Sequence, residues 1–368
     1  MRVMFVDDEQ RVLDGIERML FALDRDWDVR FATSASEALV ALETEPVDAL
    51  VTDMRMPGMD GAELLERVQT RWPATLRILL SGQTDQDAAF RALRVAHRFL
   101  SKPCEGSVLI GAVERFALLE ALLGNEELRR VLGGIDNLPA APRVFAELWQ
   151  TLSGAEQDVA YAATVIARDP ALSAKVLHLA NSAFMRRGAS IDDIHTAVTR
   201  IGVAMLRTLV LATEVFTNRG TEEATNELQR RALMASMMAR RMTVARADGE
   251  VAATAALLAD VGQLIPDIAG LCRRVPPLNG HSVTHAEMGA YLLGLWGLPM
   301  AIVEAVAHHH APARVAQHEF GPIAVVHVAV ALVNGDEVDE VLLRQLGVID
   351  ALPGWRLTAK AIYVDAHL

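Results

Sequence analysis

Short apolar runs alternate with amphipathic segments over the first 120 residues of the chain. The runs are too short for helices, and polar residues or glycine follow them, which is typical of buried strands. In the segments between them, apolar residues recur at helical spacing. Strands are predicted at Val3–Val6, Val29–Ala32, Val47–Thr52, Ile78–Leu80 and Arg98–Leu100.

Each predicted strand is followed by a segment with the period of a helix. These segments are Arg11–Leu23, Ser36–Leu42, Glu63–Thr70, Asp85–Val95 and Val108–Leu122. Strict alternation of strands and helices predicts an α/β domain over residues 1–120, with a five-stranded, doubly wound parallel sheet between two helical layers. In such sheets the functional site lies at the carboxyl ends of the strands.

The pattern becomes almost purely helical after this domain. We expect a helical linker over residues 121–135, an all-α domain over 136–335 and a C-terminal extension over 336–368. Leu119–Val131 is predicted to continue the last helix of the first domain. Helices of the second domain are predicted at Arg143–Leu152, Asp158–Arg168, Ala171–Asn181, Ile191–Ile201 and Val203–Phe216.

Composition narrows the classes of protein to consider. Hydrophobic residues make up 52% and charged residues 22%, so large cores can form. The net charge of −12 argues against generic binding of nucleic acid or of an anionic membrane. Two cysteines, an acidic start without a signal-peptide core and no apolar run of 18 residues favour a cytoplasmic protein without membrane insertion.

Charged and hydroxyl side chains stand where the predicted strands end. Asp7 and Asp8 follow the first strand, Asp53 the third, Ser81 the fourth and Lys102 the fifth. Three carboxylates at one edge repel one another unless they share a cation or a proton. Hard oxygen ligands suit Mg²⁺, and a nearby hydroxyl and ammonium would neutralise a phosphoryl group. These residues predict a magnesium-dependent phosphoryl site.

Lysine usage supports this interpretation independently. The chain has three lysines, Lys102, Lys175 and Lys360, against 32 arginines. Lys102 is the only lysine before residue 175. A compact point charge suits a single phosphoryl oxygen better than a planar guanidinium does.

Four motifs carry a family resemblance. They are VDDE at Val6–Glu9, TDMRMPGMDG at Thr52–Gly61, LLSG at Leu79–Gly82 and FLSKP at Phe99–Pro103. With them, residues 1–120 resemble the receiver domain of bacterial two-component response regulators, whose sheet is flavodoxin-like.

The resemblance implies a role for each residue of the phosphoryl site. Asp53 would accept phosphate from a sensor histidine kinase, and Ser81 and Lys102 would contact the phosphoryl group. Phe99 matches the switch aromatic, which would rotate when Ser81 moves; the alternative is a fixed core aromatic.

The resemblance also implies the magnesium ligands. Mg²⁺ would be held by Asp8, Asp53 and the backbone carbonyl of Arg55, with Asp7 supporting it through water.

The helical part carries a second resemblance. Five sequence motifs carry it, at Leu138–Leu148, Ala167–Phe184, Ala197–Leu211, His285–Pro299 and His308–Pro312. With them, this part of the chain resembles the HDOD domain, an all-α output module related to HD-type phosphohydrolases.

The ligands of a hydrolytic HD site are largely missing. Such a domain needs an upstream histidine, a His-Asp pair and a later aspartate. Here the pair reads Ala259-Asp260, the later position is Val330, and no histidine stands near Arg231–Leu233. Asp260 alone of the four ligands remains, and one carboxylate cannot hold a water-activating metal ion. We therefore expect this domain not to be an enzyme.

Two clusters of residues leave alternatives open. In the favoured interpretation, His285 and one of the pair His309 and His310 are buried, hydrogen-bonded remnants of the degenerate site, and His308 lies at the surface. In the alternative, His285, His308, His309 and His310 cluster, with His281 near them, as a residual or new metal site. Met234, Met237 and Met238, within Leu233–Met242, favour a core or a dimer seam; the alternative is a partner-binding groove.

We expect a response regulator in which phosphorylation of Asp53 switches a non-catalytic HDOD module that acts on an unknown downstream signalling protein. The alternatives are an HD-type cyclic-dinucleotide phosphodiesterase and a nucleotide-binding sensor. The GYP tripeptide of such phosphodiesterases is missing after the double histidine, where Ala313-Arg314-Val315 stands. A homodimer could form through Leu119–Val131 or through the face of the receiver's fourth predicted helix, Asp85–Val95.

Overall fold

The structure is a computed structural model in which two compact units are distinguished. It describes residues 1–22, 27–81, 95–102, 104, 106–124, 126–133, 158–167, 194–203, 206, 222–242, 246–265, 267–278, 280–295 and 299–365. The first unit comprises Met1–Ala140, Asp267–Thr284 and Tyr291–Met300. The second comprises Ala141–Pro266, His285–Ala290 and Ala301–Leu368.

The first unit is built on a parallel sheet of five strands in the order β2-β1-β3-β4-β5. This order is flavodoxin-like, and it confirms the predicted doubly wound sheet. The strands are β1 (Arg2–Val6), β2 (Asp28–Ala32), β3 (Ala49–Asp53), β4 (Leu76–Ser81) and β5 (Arg98–Ser101).

The helices of the first 133 residues lie close to their predicted positions. Side-chain caps fix two of their starts: Ser34 accepts from the backbone N–H of Glu37, and Asp60 accepts from that of Glu63. The predicted helix Asp85–Val95 lies outside the described residues, apart from Val95. The described helices are α1 (Gln10–Ala22), α2 (Ala35–Thr44), α3 (Gly61–Arg71), α4 (Gly106–Leu123) and α5 (Glu126–Gly133).

The segment after the sheet forms two helices, so the prediction of one continuous helix over Leu119–Val131 is wrong. Helix α4 ends at Leu123 and α5 begins at Glu126, with Gly124 outside both helices. Glycine readily ends a helix, which accounts for the break. Four leucines of these two helices are fully buried: Leu119, Leu123, Leu128 and Leu132.

The end of α4 takes part in a buried polar contact within the first unit. Tyr291, itself buried, donates from Oη to Oε1 of Glu120 at 2.7 Å. Arg129 Nε lies 3.2 Å from the other carboxylate oxygen of Glu120. Burial raises the pKa of Glu120, although the Tyr291 hydrogen bond and the Arg129 charge oppose the change.

The remaining described elements are helical. Helices α6 and α7 correspond to the predicted Asp158–Arg168 and Ile191–Ile201, whereas Arg143–Leu152, Ala171–Asn181 and most of Val203–Phe216 lie outside the described residues. The helices are α6 (Val159–Ala167), α7 (Ile194–Ile201), α8 (Glu222–Met242), α9 (Arg246–Leu258), α10 (Ile268–Arg274), α11 (His285–Leu295), α12 (Met300–His308), α13 (Pro322–Asn334), α14 (Glu340–Gln345) and α15 (Leu352–Asp365).

Helix α8 forms part of the core of the second unit. Met234, Met238 and Met242 are buried along it, and the helix packs against α9, α13 and α15. Met234 and Met238 are therefore core residues, and Met237 is half-buried. The C-terminal residues also pack into this unit, where Ile362 is fully buried and the rings of Phe320 and Trp355 stack at 5.0 Å.

Among the described residues, no single helix has the length and apolarity to cross a membrane. One pair joined end to end, Val251–Gln263 and Ile268–Arg274, reaches that length and apolarity together but bends by 85°.

Candidate functional site

The topology of the sheet brings two carboxylates to one edge. Strands β1 and β3 are parallel neighbours in which Val6 pairs with Thr52. Asp7 follows the end of β1, and Asp53 is the last residue of β3, so both stand at the carboxyl edge. Asp7 is 2% exposed and Asp53 is 8% exposed, which makes their unneutralised charges costly.

Lys102 supplies the opposite charge. Its Nζ lies 2.6 Å from Oδ1 of Asp53 and 3.0 Å from Oδ2 of Asp7. Burial disfavours the ammonium, but the hydrogen bonds and charges of the two aspartates outweigh it, so the pKa of Lys102 is raised. The protonated lysine therefore bridges both carboxylates.

Backbone N–H groups hold the second oxygen of each carboxylate. The N–H of Arg55 donates to Oδ2 of Asp53 at 3.2 Å, and that of Glu9 donates to Oδ1 of Asp7 at 3.0 Å. Gly61, at the start of α3, lies directly against the end of β3. A Cβ at Gly61 would stand 2.1 Å from the backbone oxygen of Asp53, so this approach requires glycine.

The other predicted residues of this site stand at the same edge. Asp8 is exposed beside Asp7. Ser81 is the last residue of β4 and pairs with Ser101, while Phe99 pairs with Leu79. The side chains of Ser81 and Phe99 lie outside the described part of the structure, so their roles stay predictions.

A second cluster forms in the helical part. One ligand atom from each of Asp260, His285, His309 and His310 lies within 4.8 Å of the others. His285 Nε2 is 3.0 Å from Oδ1 of Asp260 and 3.2 Å from Nε2 of His310. The rings of His309 and His310 are 4.0 Å apart between centroids.

Three separate segments position this cluster. Asp260 stands in the turn after α9, His285 is the first residue of α11, and the two histidines follow directly on α12. The turn is held by Gly262, where a Cβ would lie 1.9 Å from the carbonyl oxygen of His285. The backbones of the turn and of α11 can meet this closely only because residue 262 has no side chain.

His309 has a defined tautomer and one unused ring nitrogen. Its Nδ1 lies 2.7 Å from the carbonyl oxygen of Val306, so Nδ1 carries the proton and donates it. Its Nε2 is buried and has no hydrogen-bond partner. Burial, with the charge of His310 next in size, lowers the pKa of His309 to about 3, so the imidazole is neutral.

The neighbours of His309 are tuned in the same direction. Burial, with the charge of His285, lowers the pKa of His310. Burial raises the pKa of Asp260, but the hydrogen bond of His285 and the charges of the histidines outweigh it, so that pKa is lowered. Gln263 Nε2 donates to Oδ1 of Asp260 at 2.9 Å. The lowered pKa values favour the ionised carboxylate of Asp260 and the neutral imidazole of His309.

Part of the sequence interpretation needs correction here. Ala259 and Val330 are buried and offer no ligand atoms, as predicted. His309 is buried, but its Nε2 has no partner, so it is not a satisfied remnant. His308 is half-buried rather than at the surface. His281 pairs with Leu278 in an isolated bridge of the first unit and is no part of this cluster.

Family profiles match two segments of the chain. The response regulator receiver domain matches residues 3–114, and the HDOD domain matches residues 138–269 and 279–312.

Curated relatives match the first segment. The hydrogenase transcriptional regulatory protein HoxA of Cupriavidus necator is 35% identical over 125 residues, covering 33% of this chain and 25% of HoxA. The response regulator protein FleR of Pseudomonas aeruginosa is 32% identical over 127 residues, covering 34% of this chain and 26% of FleR. The chain therefore spans about a quarter of the length of these relatives.

A solved structure matches the helical part. An HDOD domain protein from Geobacter sulfurreducens is similar with a TM-score of 0.51 and 21% identity, covering 67% of this chain and 96% of that one. At this identity the similarity shows the fold alone.

Proposed function

We propose that this chain, whose segments match the response regulator receiver domain and the HDOD domain, is a two-component response regulator in which phosphorylation of Asp53 switches the HDOD domain, which signals by binding another protein. The observation that carries the first half of this proposal is the bridge of Lys102 between Asp53 and Asp7.

The acidic edge fits a bound magnesium ion. Its donors are carboxylate oxygens, which Mg²⁺ prefers, and two of them share a single ammonium. Asp8, Asp53 and the Arg55 carbonyl would hold the ion, with Asp7 acting through water. When bound, the ion neutralises charge on the phosphoryl group.

The side chains of this edge would then divide the remaining work. The N–H of Arg55 would orient the Asp53 carboxylate, whose oxygen attacks the phosphorus of a phosphohistidine on the sensor kinase while the phosphorus–nitrogen bond breaks and the imidazole leaves. Lys102, held protonated, compensates the charge that accumulates on the phosphoryl oxygens. Ser81 would contact the same oxygens, and Phe99 would rotate when Ser81 moves. Lys102 must leave part of its present contacts to do this, which couples phosphorylation to the end of β5.

The contact between Glu120 and Tyr291 supports transmission to the HDOD sequence. Glu120 lies on α4, the last helix of the receiver, and Tyr291 lies within the second matched HDOD segment. A displacement of α4 would break a buried hydrogen bond, and such a loss is costly. Proteins that dock on the HDOD surface would sense the result.

The positions of Ala259 and Val330 support an output without hydrolysis. Metal-dependent hydrolysis of phosphodiesters in two-metal sites needs ligands for both ions. Alanine and valine supply none at these buried positions. The proposed output is therefore the binding of a downstream protein. A homodimer formed through the face of the helix predicted at Asp85–Val95 could accompany it.

The first experiment tests the phosphoacceptor. The full chain is incubated with a small phosphodonor and Mg²⁺, beside Asp53→Asn and the matched control Asp14→Asn, an exposed aspartate on α1. Wild type and Asp14→Asn should be labelled, and Asp53→Asn should not. Equal labelling of all three would refute the assignment.

The second experiment tests the output. Immobilised wild-type chain, phosphorylated or not, is compared with Asp53→Asn as bait for proteins of the source cell. A partner retained in a phosphorylation-dependent manner supports the proposal. Hydrolysis of cyclic dinucleotides that Asp260→Asn abolishes would replace it with the phosphodiesterase alternative.

A further inference from the structure

The cluster of Asp260, His285, His309 and His310 has the dimensions of a small coordination sphere. Ligands about 2.0–2.1 Å from a tetrahedral zinc ion lie roughly 3.4 Å from one another. Two of the separations already measured, 3.0 Å and 3.2 Å, are close to this value. All four ligand atoms lie within 4.8 Å, so rotation of side chains would complete the sphere without moving a helix.

The unpartnered Nε2 of His309 points to a ligand. A buried polar atom without a partner costs about 1–3 kcal/mol. His309 is 1% exposed, and its Nδ1 is already used by Val306. The lone pair of Nε2 therefore has no partner among the described residues, although it stands beside two other histidines and a carboxylate.

The surroundings are those that metal-binding histidines use. The carbonyl of Val306 fixes the tautomer of His309, and Gln263 orients the Asp260 carboxylate. Metal binding requires neutral imidazoles and an ionised carboxylate. Glu287 and Asp336 add negative charge near His310.

We propose that these four side chains bind one transition-metal dication of the zinc class. Three imidazole nitrogens and one carboxylate oxygen suit zinc, and four protein ligands fill a tetrahedral sphere. Such a sphere leaves no position for a water nucleophile. The site is therefore structural, because it joins the turn after α9 to the start of α11 and to the end of α12. This role is separate from the switch at Asp53.

The test measures metal content rather than activity. The tag-free full chain is treated with chelator, incubated with Zn²⁺ in excess Mg²⁺, which occupies the receiver site, and freed of loose metal by gel filtration. Elemental analysis should find one zinc per wild-type chain. His309→Gln should bind zinc at least about tenfold more weakly, because the loss of a ligand should cost at least as much affinity as the loss of a group that hydrogen-bonds to a ligand. His318→Gln, which changes an exposed histidine outside the cluster, should bind as wild type does.

Co²⁺ provides a readout of geometry. The cobalt-loaded wild type should show the intense visible absorption of tetrahedral coordination, and Asp260→Asn should weaken it. His310→Gln serves if His309→Gln fails to fold, because His310 is exposed.

The outcomes separate this proposal from the phosphorylation switch. Asp53→Asn should keep its zinc while losing its phosphate, so either proposal can fail alone. Absence of zinc from wild type, or equal zinc in wild type, His309→Gln and His310→Gln, would overturn the metal site.

Discussion

The ammonium of Lys102 lies 2.6 Å from Asp53 and 3.0 Å from Asp7, and so it joins two carboxylates that are almost fully buried. The pair of acids is tolerable in the fold because one positive charge faces both. The same charge competes with any cation that approaches this edge. Removal of the lysine should therefore have two opposite effects, one on the apo protein and one on its response to magnesium.

The first prediction concerns Lys102→Met. The variant should unfold at a lower temperature without Mg²⁺, because its two buried carboxylates lose their counter-ion. Added Mg²⁺ should raise its unfolding temperature by more than it raises that of wild type, since ligand binding stabilises by mass action. Thermal unfolding with and without Mg²⁺ measures both effects. Lys360→Met, at an exposed position of α15, is the control; an identical magnesium response in all three proteins would contradict the prediction.

The second prediction concerns the glycine behind the site. Gly61→Ala places a Cβ 2.1 Å from the backbone oxygen of Asp53, so β3 or α3 must shift. We expect a loss of about 1–3 kcal/mol in the free energy of unfolding, together with slower labelling by a phosphodonor. Urea denaturation and the labelling rate are the measurements. Gly15→Ala is the matched control, because nothing lies within 4 Å of a Cβ at this position of α1. Alanine there should raise the free energy of unfolding by roughly 0.5–1 kcal/mol. Equal effects of the two substitutions would show that the close approach is unimportant.

The third prediction concerns the turn that carries Asp260. Gly262→Ala would put a Cβ 1.9 Å from the carbonyl oxygen of His285, which forces the turn away from α11. The unfolding temperature should fall, and zinc should bind more weakly although no ligand has changed. Gly354→Ala in α15 meets nothing within 4 Å, so it should not lower the unfolding temperature and should leave the zinc affinity unchanged. Unchanged zinc affinity in Gly262→Ala would separate the cluster from this turn.

The sequence predicts the receiver site better than the histidine cluster, and the reason is topological. Parallel strands place Asp7 and Asp53 at one edge by rule, so periodicity alone locates them. No comparable rule relates Asp260 to His309, because helix packing depends on side chains that meet across about fifty residues of sequence. The tautomer of His309 and its unused nitrogen follow from a contact with Val306 and cannot be read from a motif.

Helix ends show the same limit on a smaller scale. The apolar period runs through Leu119, Leu123 and Leu128, so a single helix is predicted there. The structure interrupts it at Gly124, yet it buries all three leucines. Because the leucines on both sides of Gly124 are buried, the spacing of apolar residues stays that of one helix although the chain changes direction at the glycine. Hydrophobic spacing therefore identifies which residues are buried more reliably than it identifies where a helix ends.

The fourth prediction concerns pH and a buried pair in the sheet. His97 Nδ1 accepts from the backbone N–H of Arg77 at 3.1 Å, and its Nε2 lies 2.9 Å from an Arg77 guanidinium nitrogen. Burial, followed by the charge of Arg77, holds the pKa of His97 well below its ordinary value. Burial also lowers the pKa of Arg77 to about 9, so the guanidinium stays charged at neutral pH.

The sign of the effect follows from where His97 binds its proton. The unfolded chain protonates His97 near pH 6.5, and the folded chain does so only at much lower pH. The stability that His97 contributes is thus complete above pH 6.5 and is lost as the pH falls below it. Between pH 7 and pH 5.5 wild type should lose about 1 kcal/mol more than His97→Asn, whose side-chain oxygen can still accept from Arg77. Urea denaturation of both proteins at both pH values measures this difference, and the comparison cancels the other titrating groups. A pH dependence that is the same in both proteins would mean that His97 binds its proton as readily in the folded chain as in the unfolded chain.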